Sequence, residues 1–249
     1  MELTIEHARR VLEVVDHGLV LGVGAPIPGQ MCVEAAVCFA LGLPHGDDPS
    51  CVGRAVRAFK IQLNDSRWSS DKARAKGMRR VAIAQLGSDQ IDQQKFRTEV
   101  AVQTVRQIVP VGLRAAAKIN PAHAEMLEAC ALACEVAVDL PAARVATSAA
   151  RAKALEIRAA YADDAVSYVA YAAAHAAHAA DAVAYAAAHA AHAADAVAYA
   201  AADAVAYAAA DDVLSKAAEI ACQALIKLGS KGAQWLFLTD EAAAKESAS

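Results

Sequence analysis

A chain of 249 residues is long enough for one large domain or two small ones. Its 57% apolar share overstates the strength of the core, because alanine supplies much of it and buries little area per residue. A net charge of −4 and a pI near 6.1 argue against broad binding to nucleic acid or to anionic membrane.

No run of about twenty strongly apolar residues occurs, so no transmembrane helix is expected. The N-terminus, Met1 to Glu6, is acidic and amphipathic and does not read as a secretory leader, which makes the cytoplasm the expected location. The cysteines (Cys32, Cys38, Cys51, Cys130, Cys134, Cys222) stand in apolar contexts with no CxxC pair. Reduced thiols serving as small core residues are expected.

In chain order, Leu3, Ile5, Ala8, Val11, Leu12 and Val15 have helical spacing after a Thr4 cap. Gly18 to Gly29 then reads as a tight, partly buried loop. Its glycines suggest a dinucleotide turn, but no strand precedes them, and Pro26 and Pro28 stand where a helix would begin. Cys32 to Leu43 predicts a compact apolar helix ending at Gly42-Leu43-Pro44. Asp48 as cap and Pro49 in the first turn predict another helix to Asn64-Asp65. Ser70-Asp71 caps a basic helix to Leu86, and a longer helix is expected from Asp89 to Ile108. A short resumption after Pro110, a helix opened at Asn120-Pro121 and one with Pro141 in its first turn follow. Nothing alternates with period two, so the class is all-α: a multi-helix bundle with an N-terminal helical region (1–140), an alanine-rich repeat region packed on it (141–240) and a polar tail (241–249).

Neither Gly nor Pro occurs from Ala142 to Leu228. One continuous helix would be about 130 Å long at 1.5 Å per residue. Two or more helices are the expected solution, broken near Asp163-Asp164 or Asp211-Asp212. The tract carries an internal repeat. Its full fourteen-residue unit, Asp181-Ala-Val-Ala-Tyr185-Ala-Ala-Ala-His189-Ala-Ala-His192-Ala-Ala, is followed from Asp195 by two eight-residue copies that keep Asp and Tyr and lose both histidines. All six tyrosines lie in this tract, and all four phenylalanines and both tryptophans lie outside it.

Fourteen residues make four turns at 3.5 each, so successive copies fall on one face. Tyr185, His189 and His192 stand at i, i+4 and i+7, with Asp195 at the edge of that stripe. Two chemistries fit. The sets His175/His178/Asp181 and His189/His192/Asp195 offer imidazoles one turn apart with a carboxylate another turn on, which suits a divalent transition metal. Alternatively the stripe is a packing and docking surface, with Tyr171, Tyr185, Tyr199, His175, His178, His189 and His192 as binding residues and no cofactor. The short copies dispense with the histidines, which favours the second reading. A third reading, an enzyme, would centre on Cys51, His45 and the group Asp47, Asp48, Asn64 and Asp65, although caps and a core thiol explain these residues more simply.

The alanine-rich phrases Tyr-Ala-Ala-Ala and Ala-Ala-Asp-Ala-Val, over about residues 150–228, resemble bacterial immunity proteins of polymorphic toxin systems. The resemblance implies a mostly helical fold and a role in binding a protein, such as capping a toxin. A homo-oligomer is compatible with it.

Overall fold

The computed structural model describes residues 2–161 and 207–240. Among them are nine α-helices and no strand, so the fold is all-α, as the absence of period-two patterning implies. The helices are α1 (Ile5–Asp16), α2 (Val33–Ala40), α3 (Arg54–Asn64), α4 (Asp71–Ala84), α5 (Gln93–Gln107), α6 (Val109–Ile119), α7 (Ala124–Glu135), α8 (Leu140–Tyr161) and α9 (Tyr207–Lys227). None of the described helices is long and apolar enough to cross a membrane.

The chain groups into two compact units, one up to Phe96 and again from Ala218, the other from Arg97 to Ala217. These limits differ from the expected division at residue 140. Both fall inside helices, α5 and α9, so no glycine- or proline-rich linker marks them in the sequence. Asp211 and Asp212 likewise lie inside α9 and do not break it.

In the first unit α1 packs on α2 and α4, and α2 packs on α3. The caps explain the starts. Thr4 is extended and its N–H donates to His7 Nδ1 at 3.2 Å, while the Ser70 hydroxyl accepts from Ala73 N at 3.1 Å. The Cys32 thiol does the same for α2, accepting from Ala35 N at 3.4 Å. Phe59, Leu63, Met78 and Ile83 are fully buried, each contributing about 1.5–3 kcal/mol of apolar burial.

Asp48 does not cap α3, contrary to the sequence reading. The chain turns once at Pro49–Val52, and α3 begins after Gly53, whose N–H donates to Ser88 Oγ at 3.0 Å while Ala55 N donates to Gln93 Oε1 at 3.1 Å. These contacts hold Gly53 extended and so delay the helix, and a Cβ there would overlap the Gln93 amide. Asp48 instead pairs with Arg57. After α9, Trp235, Leu236 and Leu238 are buried, which docks the C-terminal segment as its apolar run implies.

In the second unit α7 packs against both α6 and α8. The buried stripe of α8 is Ala143, Thr147, Ala150, Ala154 and Ile157, at alternating spacings of four and three. Small residues on that stripe allow close helix approach. Across α6 and α7, Arg114 donates to both Glu128 and Glu135.

Candidate functional site

Three features of the described residues carry polar or apolar groups in unusual settings. The first is the loop from Gly18 to Met31, which joins α1 to α2. Both of its feet are locked, with Leu19 and Met31 fully buried. Between them Val20 N donates to Met31 O at 3.0 Å, Cys32 N to Val23 O at 3.3 Å, and Ala25 N to Gln30 O at 2.7 Å.

Side chains from below complete the bracing. Asn64, fully buried at the end of α3, accepts from Val33 N at 3.2 Å and donates to Val20 O at 2.9 Å. Asp65 accepts from Gly22 N at 2.9 Å. Arg74, itself buried on α4, donates to Leu19 O at 2.8 Å and to Asn64 O at 2.7 Å. His45 Nε2 donates to Gly24 O at 3.1 Å. Gly24 has φ +72°, and a Cβ there would overlap the Gln30 carbonyl oxygen, so only glycine fits. Upon this fixed backbone Leu21 is 63% exposed and Ile27 50%.

The second feature is a buried ion pair. Lys60 Nζ on α3 lies 2.8 Å from Glu34 Oε1 in the first turn of α2, and both side chains are wholly inaccessible. Beyond this contact neither has another hydrogen-bonding partner among the described residues. Burial pushes the Glu34 carboxyl up and the Lys60 ammonium down, and each charge partly reverses the shift of the other. The neighbouring thiols are also desolvated. Burial raises Cys32 and Cys51, and Cys38 to about 11. At neutral pH such thiols are protonated and poor nucleophiles.

Cys51 borders a cleft of about 470 Å³ whose other walls include Ser50, Asp89, Gln90 and Lys231. Four members of the cluster that suggested an enzyme are committed elsewhere: Asn64, Asp65 and His45 to the loop, Asp48 to Arg57. Among the described residues no group of three or more His, Cys, Asp or Glu could hold a metal ion.

The third feature is the outer side of α7 and α8. Opposite its buried stripe α8 turns Val145, Ala149, Ala152 and Leu155 outward, and α7 does the same with Ala129, Leu132 and Ala133, followed by Val136 at its C-cap. Val136 is 71% exposed, Val138 80% and Val145 73%. Exposed Glu125 on α7 and Ser148 and Glu156 on α8 stand among these aliphatic groups, so the outward side is mixed, with large aliphatic residues uncovered between polar ones.

The repeat residues Tyr171, His175, His178, Asp181, Tyr185, His189, His192, Asp195 and Tyr199 lie outside the described residues. Sequence reasoning did not single out Glu34, Lys60 or the outward aliphatic groups of the loop. The readable signal for the loop was fourteen consecutive residues, 18–31, without a charge. The chain matches no protein-family model, no curated protein and no solved structure.

Proposed function

We propose that this chain is a non-enzymatic helical interaction module of the immunity type, which binds and caps a toxin protein. The observation that carries the reading is the set of exposed aliphatic groups on α7, α8 and the turn between them, Leu132, Val136, Val138, Val145 and Leu155. Several large aliphatic groups left uncovered on two helices that pack on each other mark a place where another protein can dock. Valine and leucine interspersed with alanine give a shallow, close-fitting face suited to a partner helix or flat surface. The state of the thiols supports a binding role over catalysis, since Cys51 is raised by burial and the polar groups near it in sequence brace backbone.

The test is calorimetric titration of the full chain with the toxin encoded beside its gene. Val136→Asp and Val145→Asp place a charge on the face without touching the core. Each is expected to weaken binding about 100-fold while leaving the unfolding midpoint within about 0.5 kcal/mol of wild type. Unchanged affinity in both variants, or no binding by the wild-type chain, overturns the reading.

A further inference from the structure

Residues 18–31 contain no charged side chain, and three of their aliphatic groups, Leu21, Val23 and Ile27, stand 63%, 37% and 50% exposed. The backbone that carries them is fixed from both ends and from beneath, by Asn64, Asp65 and Arg74. Pro26 and Pro28 restrict it further. A segment that only joined α1 to α2 would gain by turning polar side chains outward. Aliphatic groups held outward on a preset backbone can bind without the ordering cost that a flexible loop incurs.

We infer that this loop is a preformed knob that inserts Leu21 and Ile27 into an uncharged aliphatic recess of a protein partner. The charge pattern selects a protein over a bilayer. Shallow insertion into anionic membrane is supported by Lys or Arg beside the apolar tip. Here the loop has neither, the side chains that reach its tip are the Asp65 carboxylate and the His45 imidazole, and the whole chain carries −4. An aliphatic tip beside one carboxylate complements an aliphatic recess free of acidic groups, since an acidic group brought against it would meet a like charge. The loop is independent of the α7–α8 face, and its variants fail separately from those of that face.

A photo-crosslinking residue, p-benzoylphenylalanine, is placed at position 27 of the full chain in its native host, with the same residue at exposed Glu13 as control. One protein adduct is expected at position 27 and none at 13. The crosslinked protein, purified, is then titrated with the wild-type chain and its variants. Leu21→Asp and Ile27→Asp each weaken binding about 100-fold. The Pro26→Ala/Pro28→Ala double variant keeps both aliphatic groups yet weakens binding about 3- to 10-fold, because the loop must be ordered on docking. Leu21 and Ile27 are exposed, so circular dichroism and the unfolding midpoint of their variants stay at wild type, while the double proline variant keeps its circular dichroism and unfolds at a slightly lower midpoint. Equal affinity across the variants, no adduct at 27, or an adduct of twice the chain's own mass overturns the inference. So does Leu21-dependent sedimentation with vesicles of phosphatidylcholine and phosphatidylglycerol in equal parts.

Discussion

Replacing Lys60 by Met leaves the Glu34 carboxyl alone in a site with no solvent access and no other hydrogen-bonding partner among the described residues. Breaking a buried pair from one side costs about 3–5 kcal/mol, since the remaining group keeps its desolvation penalty and loses its compensation. Both tryptophans, Trp68 and Trp235, belong to the unit that holds the pair, so their fluorescence reports its unfolding directly. With a urea slope of about 2–3 kcal/mol/M, the midpoint falls by about 1–2.5 M.

The pH dependence has a definite sign. A carboxyl raised by burial stabilises the fold most below its unfolded value near 4.5, and that contribution is lost as pH rises through the native value. Lys60→Met removes the cation that holds Glu34 down, so its penalty grows as pH rises above the unfolded value near 4.5, by at most about 1.4 kcal/mol per pH unit. Glu34→Gln does the reverse. Lys60, lowered by burial, contributes stability above its unfolded value near 10.5 that is lost as pH falls, so that penalty shrinks towards alkaline pH. The double variant Glu34→Leu/Lys60→Met removes both desolvation penalties and returns to within about 1 kcal/mol of wild type or above it. Two single variants that each cost under about 1 kcal/mol and sum to the double would refute the reasoning.

Gly24→Ala puts a side chain into a left-handed position and against the Gln30 carbonyl. It is expected to cost about 1–3 kcal/mol by urea unfolding and to open residues 18–31 to limited proteolysis. Among the thiols, Cys130 is partly exposed, while Cys134 and Cys222 are buried and raised to about 12. Ellman's reagent at neutral pH should therefore modify Cys130 first and the other five only on unfolding, as followed by peptide mapping.

The helix starts that carry their own chemistry were legible. Thr4, Ser70 and Pro141 each stand where a helix begins, because a cap or a first-turn proline acts within three or four residues. Asp48-Pro49 has the same local signature and failed. What delays α3 to Arg54 is Ser88 and Gln93, more than thirty residues on, and no local pattern records them. Glu34 and Lys60 were illegible for a similar reason. Each reads as the solvated position of an amphipathic helix until the partner from the other helix is in place. The loop was legible as a loop and as partly buried. That its aliphatic residues divide into buried feet and an outward tip follows from the side chains beneath it, which belong to α3 and α4.

Those side chains bear on why the loop has its composition. Asn64 and Arg74 are costly to bury; besides the Asp65 and Asp71 carboxylates, their donors go to backbone carbonyls at Leu19, Val20 and Asn64. An unbraced linker between α1 and α2 would need neither residue, and the same core volume could be filled with aliphatic groups at lower desolvation cost. The polar core of the first unit therefore holds the loop in one conformation as well as joining α2 to α3 and α4. Since the bracing acts on the backbone and leaves Leu21 and Ile27 outward, exchanging those two for serine should leave stability almost unchanged. Stability and binding then separate at these positions: Asn64→Ala loses about 1–3 kcal/mol of fold through unmade hydrogen bonds, whereas Leu21→Ser loses only the contact.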